Sequence, residues 1–505
     1  MTTQNTDLIS LLEKALSQQP QDYPQEVGTV IKVGDGICKI FGLNNAVLGE
    51  IIEFESGGKG IILDLDEDFV SVALLEEANR VLEQDTAMRT GKVFSIPVGD
   101  KLQGRVISAI GKPLDGFGPI HADKQLPIEH SIPGIIDRSL VNQSLETGIT
   151  AIDSLFPIGR GQRELFIGDR GTGKTSLVID TILHQKNSGV ICIYVSIGHK
   201  QANIARLTHL LEKNDALDYT IIVDANAKET PLNQYLAPYS GCTIGEYFMN
   251  QGKDVLIVYD DLSKHAIAYR ELSLLLKRPP GREAYPGDIF YIHSRLLERA
   301  GKLSLAHGGG SITALPIIQT QEDDISGYIP TNLISITDGQ IILDTNLFNG
   351  GIQPAVNVGL SVSRVGKVAQ TKAMREVSGS LKLELAQYYE LLAFSQFGSE
   401  LDKSSQKALD RGRRAIEILK QPEHETYSFV DQVIFLFLLK EHYLNKLEID
   451  KIKDFVVQLA SYIQGAYNET YSEILKTKEL SQANIALFKK AADEFSVLRA
   501  NKNPV

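Results

Sequence analysis

Cysteine is scarce in this 505-residue sequence, which has only Cys38, Cys192 and Cys242. An odd number without metal-ligand spacing excludes a disulfide framework and a cysteine-held metal, and predicts buried free thiols in a reducing compartment. No apolar run approaches membrane-spanning length; the longest, Val433 to Leu439, is a candidate buried element. Basic charge is also short. The net charge of -12 argues against nonspecific nucleic-acid binding through a broad basic face, leaving room only for a local basic channel. The first residues, Met1 to Asp7, carry neither a basic-apolar signal pattern nor an Arg-rich transit pattern, so the mature protein is expected to begin near Met1. No internal repeat or low-complexity segment is found. What is present is ordinary globular material, 43% hydrophobic and 23% charged, which predicts a soluble, folded protein. At ~100–200 residues per domain, its length calls for about two to four domains.

The most informative stretch is Gly168-Asp169-Arg170-Gly171-Thr172-Gly173-Lys174-Thr175-Ser176, which fits G-x-x-x-x-G-K-[ST]. Glu164 to Ile167 precede it as a short apolar run, and Leu177 to Leu183 follow with helical spacing, giving the strand, loop and helix that the motif needs. Glycines let successive backbone N–H groups face phosphate, the helix N-terminus adds its dipole, and Lys174 adds a mobile positive charge. Thr175 is placed to ligate magnesium. A second apolar run, Asp254 to Asp261, ends in two carboxylates. Delivered to the P-loop edge of a sheet, Asp260 would hold magnesium through water, and Asp261 would cap the next helix or hold neighbouring polar groups.

In chain order, residues 8–18 have helical apolar spacing and are stopped by Pro20 and Pro24. This helix either packs on its own domain or binds a partner. From Glu26 the period becomes two, with candidate strands at Val27 to Val33, Ile37 to Phe41, Ala46 to Phe54, Gly60 to Leu65 and Phe69 to Leu75. The spacing predicts a small antiparallel β-barrel over 25–94, and few interleaved aromatic and basic residues favour a structural collar over an oligonucleotide-binding one. Over 95–372, apolar runs alternate with helical patterns, as a mainly parallel α/β sheet requires. The proline- and glycine-rich segment Arg278 to Asp288 and the turn His307 to Gly310 cannot be regular elements. Beyond Lys372 the period is helical, predicting an α-helical C-terminal domain over 373–505. The fold class is therefore multidomain: barrel, α/β P-loop domain, helical domain.

With these parts in this order, the motifs closely resemble the alpha-subunit family of F-type ATP synthases. The resemblance covers nearly the whole chain and rests on Gly168 to Ser176, Tyr259 to Lys264, Arg278 to Asp288, His293 to Ala300, Pro354 to Arg364 and Leu381 to Tyr388. The Ser361-Val362-Ser363-Arg364 segment separates this branch from catalytic relatives. The resemblance implies a RecA-like nucleotide domain and a ring of three such subunits alternating with three catalytic beta subunits around a gamma shaft. It implies peripheral-stalk delta and b subunits gripping the helix within 1–24, and contact with a membrane only through the assembled complex. The barrel resembles the crown tying the ring together, and Arg278 to Asp288 the loop facing the shaft. No nucleic-acid partner is implied.

The same resemblance implies that Arg364 is an arginine finger reaching the γ-phosphate in a neighbour's site, where a delocalised, always-charged guanidinium suits the transition state. Without its motif, an arginine after a strand reads as a surface ion pair. The chain's own site, Gly168 to Ser176 with Gln353, Gln421 and Glu423 on the base side, would bind Mg-ATP or Mg-ADP without turnover. Catalytic relatives place a water-activating glutamate after the strand following the P-loop helix, where this chain reads Ser196-Ile197-Gly198-His199-Lys200. Four positions depart from the family pattern: Gly171, His199 and Glu423 stand at usual glutamines and Gln353 at a usual arginine. Altered or weakened nucleotide binding is expected, as in a divergent or second copy of the complex. A homohexameric protein-export ATPase would need a carboxylate at position 199 and another C-terminal domain. A ring-shaped RNA translocase would need an aromatic, basic barrel, and a metabolic kinase leaves the Arg364 segment unexplained. The expected location is the cytoplasmic face of a bacterial plasma membrane, an organelle-encoded copy being the alternative. The choice of proton or sodium belongs to membrane subunits.

Overall fold

The computed structural model describes residues 26–76, 80–130, 132–395 and 402–502. The N-terminal helix expected within 1–24 lies outside them. The chain divides into two compact units: one runs up to Ser95 and includes Thr230–Leu232 and Glu271–Pro279, and the other holds the remainder.

In the first unit, β1 (Val27–Gly34), β2 (Ile37–Phe41), β3 (Glu50–Phe54), β4 (Lys59–Leu65), β5 (Val70–Glu76) and β6 (Thr86–Val93) close a barrel in the order β1-β2-β5-β4-β3-β6. Alternating side chains, among them Val30, Ile40, Ile52, Phe54, Ile62, Val72 and Leu74, fill its interior. This is the burial that a period of two dictates. Gly60 is required where β4 meets β5, since a Cβ there would lie 2.4 Å from Val72 Cγ1. The strand expected from Ala46 begins only at Glu50. Hydrogen bonds from Ala46 N to Leu43 O and from Glu50 N to Val47 O make turns of the intervening residues, and Gly49 has φ +79°.

The second unit is built on a sheet of β7 (Val106–Ser108), β8 (Leu165–Asp169), β9 (Ile191–Ile197), β10 (Thr220–Ala225), β11 (Asp254–Asp260), β12 (Ser311–Thr320), β13 (Gly339–Leu343) and β14 (Val362–Ser363). Their order is β14-β13-β8-β12-β11-β9-β10-β7, with Gly301–Lys302 pairing beside β12. All neighbouring pairs along that order are parallel except β13 with β14. β9 and β10 are buried along their whole length, which explains their uninterrupted apolar sequences. Ser196 is in register with Asp260, and Gly168 with Gln319, so the carboxyl ends of β8, β11 and β9 open onto one crevice. Ligands gather at such an edge in parallel sheets.

Helices follow at Leu381–Ser395, Lys403–Leu419, Phe429–Lys440, Ile452–Ala466, Asn468–Thr477 and Gln482–Lys502. The apolar run Val433 to Leu439 is buried on every side of its helix, which Ser428 and Asp431 start with a reciprocal capping box. The helical pattern predicts this helix over Phe429 to Leu447, but it ends at Lys440, because His442 with φ of 63° breaks the helical path. The core of the sheet, with Phe166, Tyr194 and Leu256, is continuous with that of these helices, with Phe435 and Phe437. All three cysteines are buried and free. Among the described residues, no helix is long and apolar enough to cross a membrane.

Candidate functional site

The loop between β8 and the helix Lys174–His184 is shaped by Gly171 at φ +84° and Gly173 at φ +94°, conformations that favour glycine. Lys174 is folded back, its Nζ donating to Gly168 O at 2.7 Å and to Asp169 O. Burial lowers the affinity of its amine for a proton, while Asp261, Asp260 and Asp169 oppose that effect. Thr172 Oγ1 donates to Asp169 O at 2.8 Å, and Asp169 Oδ1 accepts from Thr320 Oγ1 at 2.7 Å. The loop is thus tied to two strands of the sheet. Arg170 and Gly171 are exposed at its tip.

Thr175 Oγ1 donates to Asp260 Oδ2 at 3.1 Å, joining the two residues expected to hold magnesium. Tyr194 O–H donates to the same oxygen, and His199 Nε2 lies 3.3 Å from Asp260 Oδ1. Burial opposes the charge of Asp260, but its contacts with His199 and Tyr194 hold its carboxyl below the usual range. A hydroxyl and an ionised carboxylate are hard oxygen donors of the kind magnesium prefers. No group of three or more His, Cys, Asp or Glu side chains suited to a metal exists among the described residues, so such an ion would draw the rest of its shell from phosphate and water. Asp261 Oδ1 instead accepts from Ser263 N at 2.7 Å at the start of the next helix. Its carboxyl is pushed up by burial and by the charge of Asp260.

The three residues expected on the base side, Gln353, Gln421 and Glu423, line one pocket with Thr172, Leu177 and Phe348. Gln421 N donates to Gln353 O at 2.8 Å. The Gln421 amide is engaged within the protein: Oε1 accepts from Thr150 N at 3.0 Å, and Nε2 donates to Gly148 O at 2.8 Å and to Glu425 O. Glu423 Oε1 accepts from Ser176 Oγ at 2.8 Å, tying the turn after the helix Lys403–Leu419 to the P-loop helix. Sequence reasoning missed Asp180, which also lines this pocket and receives His424 N at 3.1 Å. Its position on the P-loop helix, one turn beyond Ser176, was the available signal.

Arg364 stands apart from this group, exposed just after β14. Its backbone N–H donates to Asp338 O at 2.9 Å, and its Nη1 to Thr337 O at 3.4 Å. The residues holding this segment, Gln162, Arg163 and Glu164, carried no motif of their own.

Fold and site together define a P-loop protein with a barrel before its nucleotide domain and a helical domain after it. The chain belongs to the ATP synthase alpha/beta family: residues 24–91 match that family's beta-barrel domain, 148–363 its nucleotide-binding domain and 370–495 its C-terminal domain. It is 54% identical to the ATP synthase subunit alpha of Caldanaerobacter subterraneus subsp. tengcongensis over 478 residues, covering 95% of this chain and 94% of that one. Identity to the ATP synthase subunit alpha of Clostridium botulinum (strain Eklund 17B / Type B) is 53% over 496 residues and 98% of each chain. The ATP synthase subunit alpha of Clostridium acetobutylicum is 54% identical over 468 residues, 93% of each.

Proposed function

We propose that this chain is a non-catalytic alpha-type subunit of an F-type ATP synthase. It binds Mg-ATP or Mg-ADP at its own P-loop and lends Arg364 to the catalytic site of an adjacent beta-type subunit. Beta, gamma, delta and b subunits are its partners, and it meets the cytoplasmic face of a bacterial membrane through that complex. The observation that carries the reading is the pairing of His199 with Asp260. Lys264 Nζ lies 3.2 Å from the Nδ1 of the same ring. Imidazole and ammonium occupy the place where hydrolysis needs a carboxylate to orient or deprotonate water.

Each residue then has a definite task. The Gly168 to Gly173 backbone and Lys174 cradle phosphates, with Lys174 exchanging its carbonyl partners for phosphate oxygens. Thr175 and Asp260 hold magnesium, which when bound neutralises phosphate charge. Gln353 and Glu423 border the base, while Gln421 braces that wall through its amide. Arg364, exposed just after β14, is the guanidinium lent to a phosphate of the neighbouring subunit.

Equilibrium binding and single-turnover hydrolysis by the purified chain test this reading. Mg-ATP is expected to bind and remain intact, with binding abolished by Lys174→Ala. Turnover by the chain alone would overturn the non-catalytic assignment and favour a self-sufficient, export-type ATPase.

A further inference from the structure

Resting on the assignment of Arg364 as the finger, we infer that Glu164 is a positioning residue for it, acting through Gln162 and Ser363. Glu164 immediately precedes β8 and is completely buried. Its Oε2 accepts from Gln162 Nε2 at 2.6 Å. The same Gln162 amide nitrogen donates to Ser363 Oγ at 3.1 Å, and Gln162 Oε1 accepts from Gly159 N at 2.8 Å. Both amide hydrogens are therefore committed, one to Glu164 and one to the residue preceding Arg364.

Ser363 is saturated in turn. Its hydroxyl donates to Pro157 O at 2.9 Å and accepts from Gly366 N at 3.1 Å, in addition to the bond from Gln162. One donor and two acceptors exhaust a serine hydroxyl, so the backbone on both sides of Arg364 is held by this hub. The intervening residue completes the seat: Arg163 clamps Asp338 with Nε to Oδ2 at 2.9 Å and Nη2 to Oδ1 at 2.8 Å. Asp338 is the residue whose carbonyl receives the Arg364 N–H.

The other Glu164 oxygen, Oε1, is buried without a hydrogen-bond partner. Burial pushes this carboxyl well up, outweighing the Gln162 hydrogen bond and the charge of Arg364. Glu164 orients Gln162 by shape and hydrogen bonding, so its amide analogue retains the function. An unpartnered buried oxygen is costly, and a carboxyl retained at that cost beside the finger is better explained by positioning than by packing. Because 162–164 lead directly into β8 and the P-loop, the seat of the finger is anchored on the strand that carries the chain's own phosphate loop.

The test is steady-state ATP hydrolysis by the assembled complex, separating kcat from KM, with Glu164→Ala, Glu164→Gln, Ser363→Ala, Arg364→Ala and the Glu164→Ala/Arg364→Ala pair. Misplacing a transition-state group costs rate at constant substrate affinity, here about tenfold in kcat for Glu164→Ala. Glu164→Gln should restore most of it. Ser363→Ala, at a partly exposed site, should lose rate in the same direction. The double variant should be no slower than Arg364→Ala. The inference is overturned if Glu164→Ala and Ser363→Ala keep full kcat, or if Glu164→Ala slows the Arg364→Ala complex by the same factor as wild type. Failure of the finger assignment reads differently: Arg364→Ala itself would then leave kcat unchanged.

Discussion

His199 Nε2 lies 3.3 Å from Asp260 Oδ1, an imidazole against the carboxylate proposed to hold magnesium through water. With Thr175 and Tyr194 on the other oxygen, Asp260 is satisfied by protein alone. A nucleotide-bound cation must displace part of that arrangement. Replacing the ring with the more flexible amide of glutamine, which is never cationic, weakens the competitor for Asp260. His199→Gln should tighten Mg-nucleotide binding about threefold to tenfold, of order 1 kcal/mol, measured by calorimetry at fixed magnesium. The gain should shrink when magnesium is chelated.

Glu246 and Arg299 form a buried pair elsewhere in the same unit, with Arg299 Nε 2.8 Å from Glu246 Oε1. Arg299 also donates to Ile128 O and Thr243 Oγ1, each at 2.8 Å. Arg299→Ala would leave the buried Glu246 carboxylate with only His130 beside it, so a loss of about 3 kcal/mol is expected by chemical denaturation. The pH dependence has a definite sign. Burial raises the Glu246 carboxyl, but Arg299 and His130 outweigh it and the net shift is downward. Its contribution is therefore present above the unfolded value of ~4.3 and lost as pH falls through the lower folded value. Arg299→Ala should flatten that acid limb.

The three thiols offer a check on packing in both units. Burial pushes Cys38 and Cys242 up to about 12 and Cys192 higher still. A thiol without thiolate character is a poor nucleophile. Native protein near pH 8 should resist alkylation, and denatured protein should titrate three cysteines. Rapid labelling of the native chain would contradict the packing.

What could be read from the sequence was local. Gly168 to Ser176 announces itself because loop, strand and helix are contiguous, and the barrel because alternating burial writes a period of two. The Asp254 to Asp260 run was visible as a buried strand ending in acids. The seat of Arg364 was not, because Gln162 meets Ser363 across 201 residues and Arg163 meets Asp338 across 175. Gln421 shows the same limit. Its expected place on the base side came from the family resemblance, whereas its engagement with Thr150, 271 residues away, needs the folded chain. Within the helical region, Asn468–Thr477 gives no separate signal in the sequence, because its amphipathic stripe follows the preceding helix with almost no intervening turn.

The most direct test of the central claim is ATP hydrolysis by the chain alone and by the complex assembled with beta and gamma subunits, each with Arg364 intact and with Arg364→Ala. The account predicts no turnover alone, turnover on assembly, and a loss of about 10³- to 10⁵-fold when the guanidinium is removed. Hydrolysis by the isolated chain, indifferent to Arg364, would contradict it.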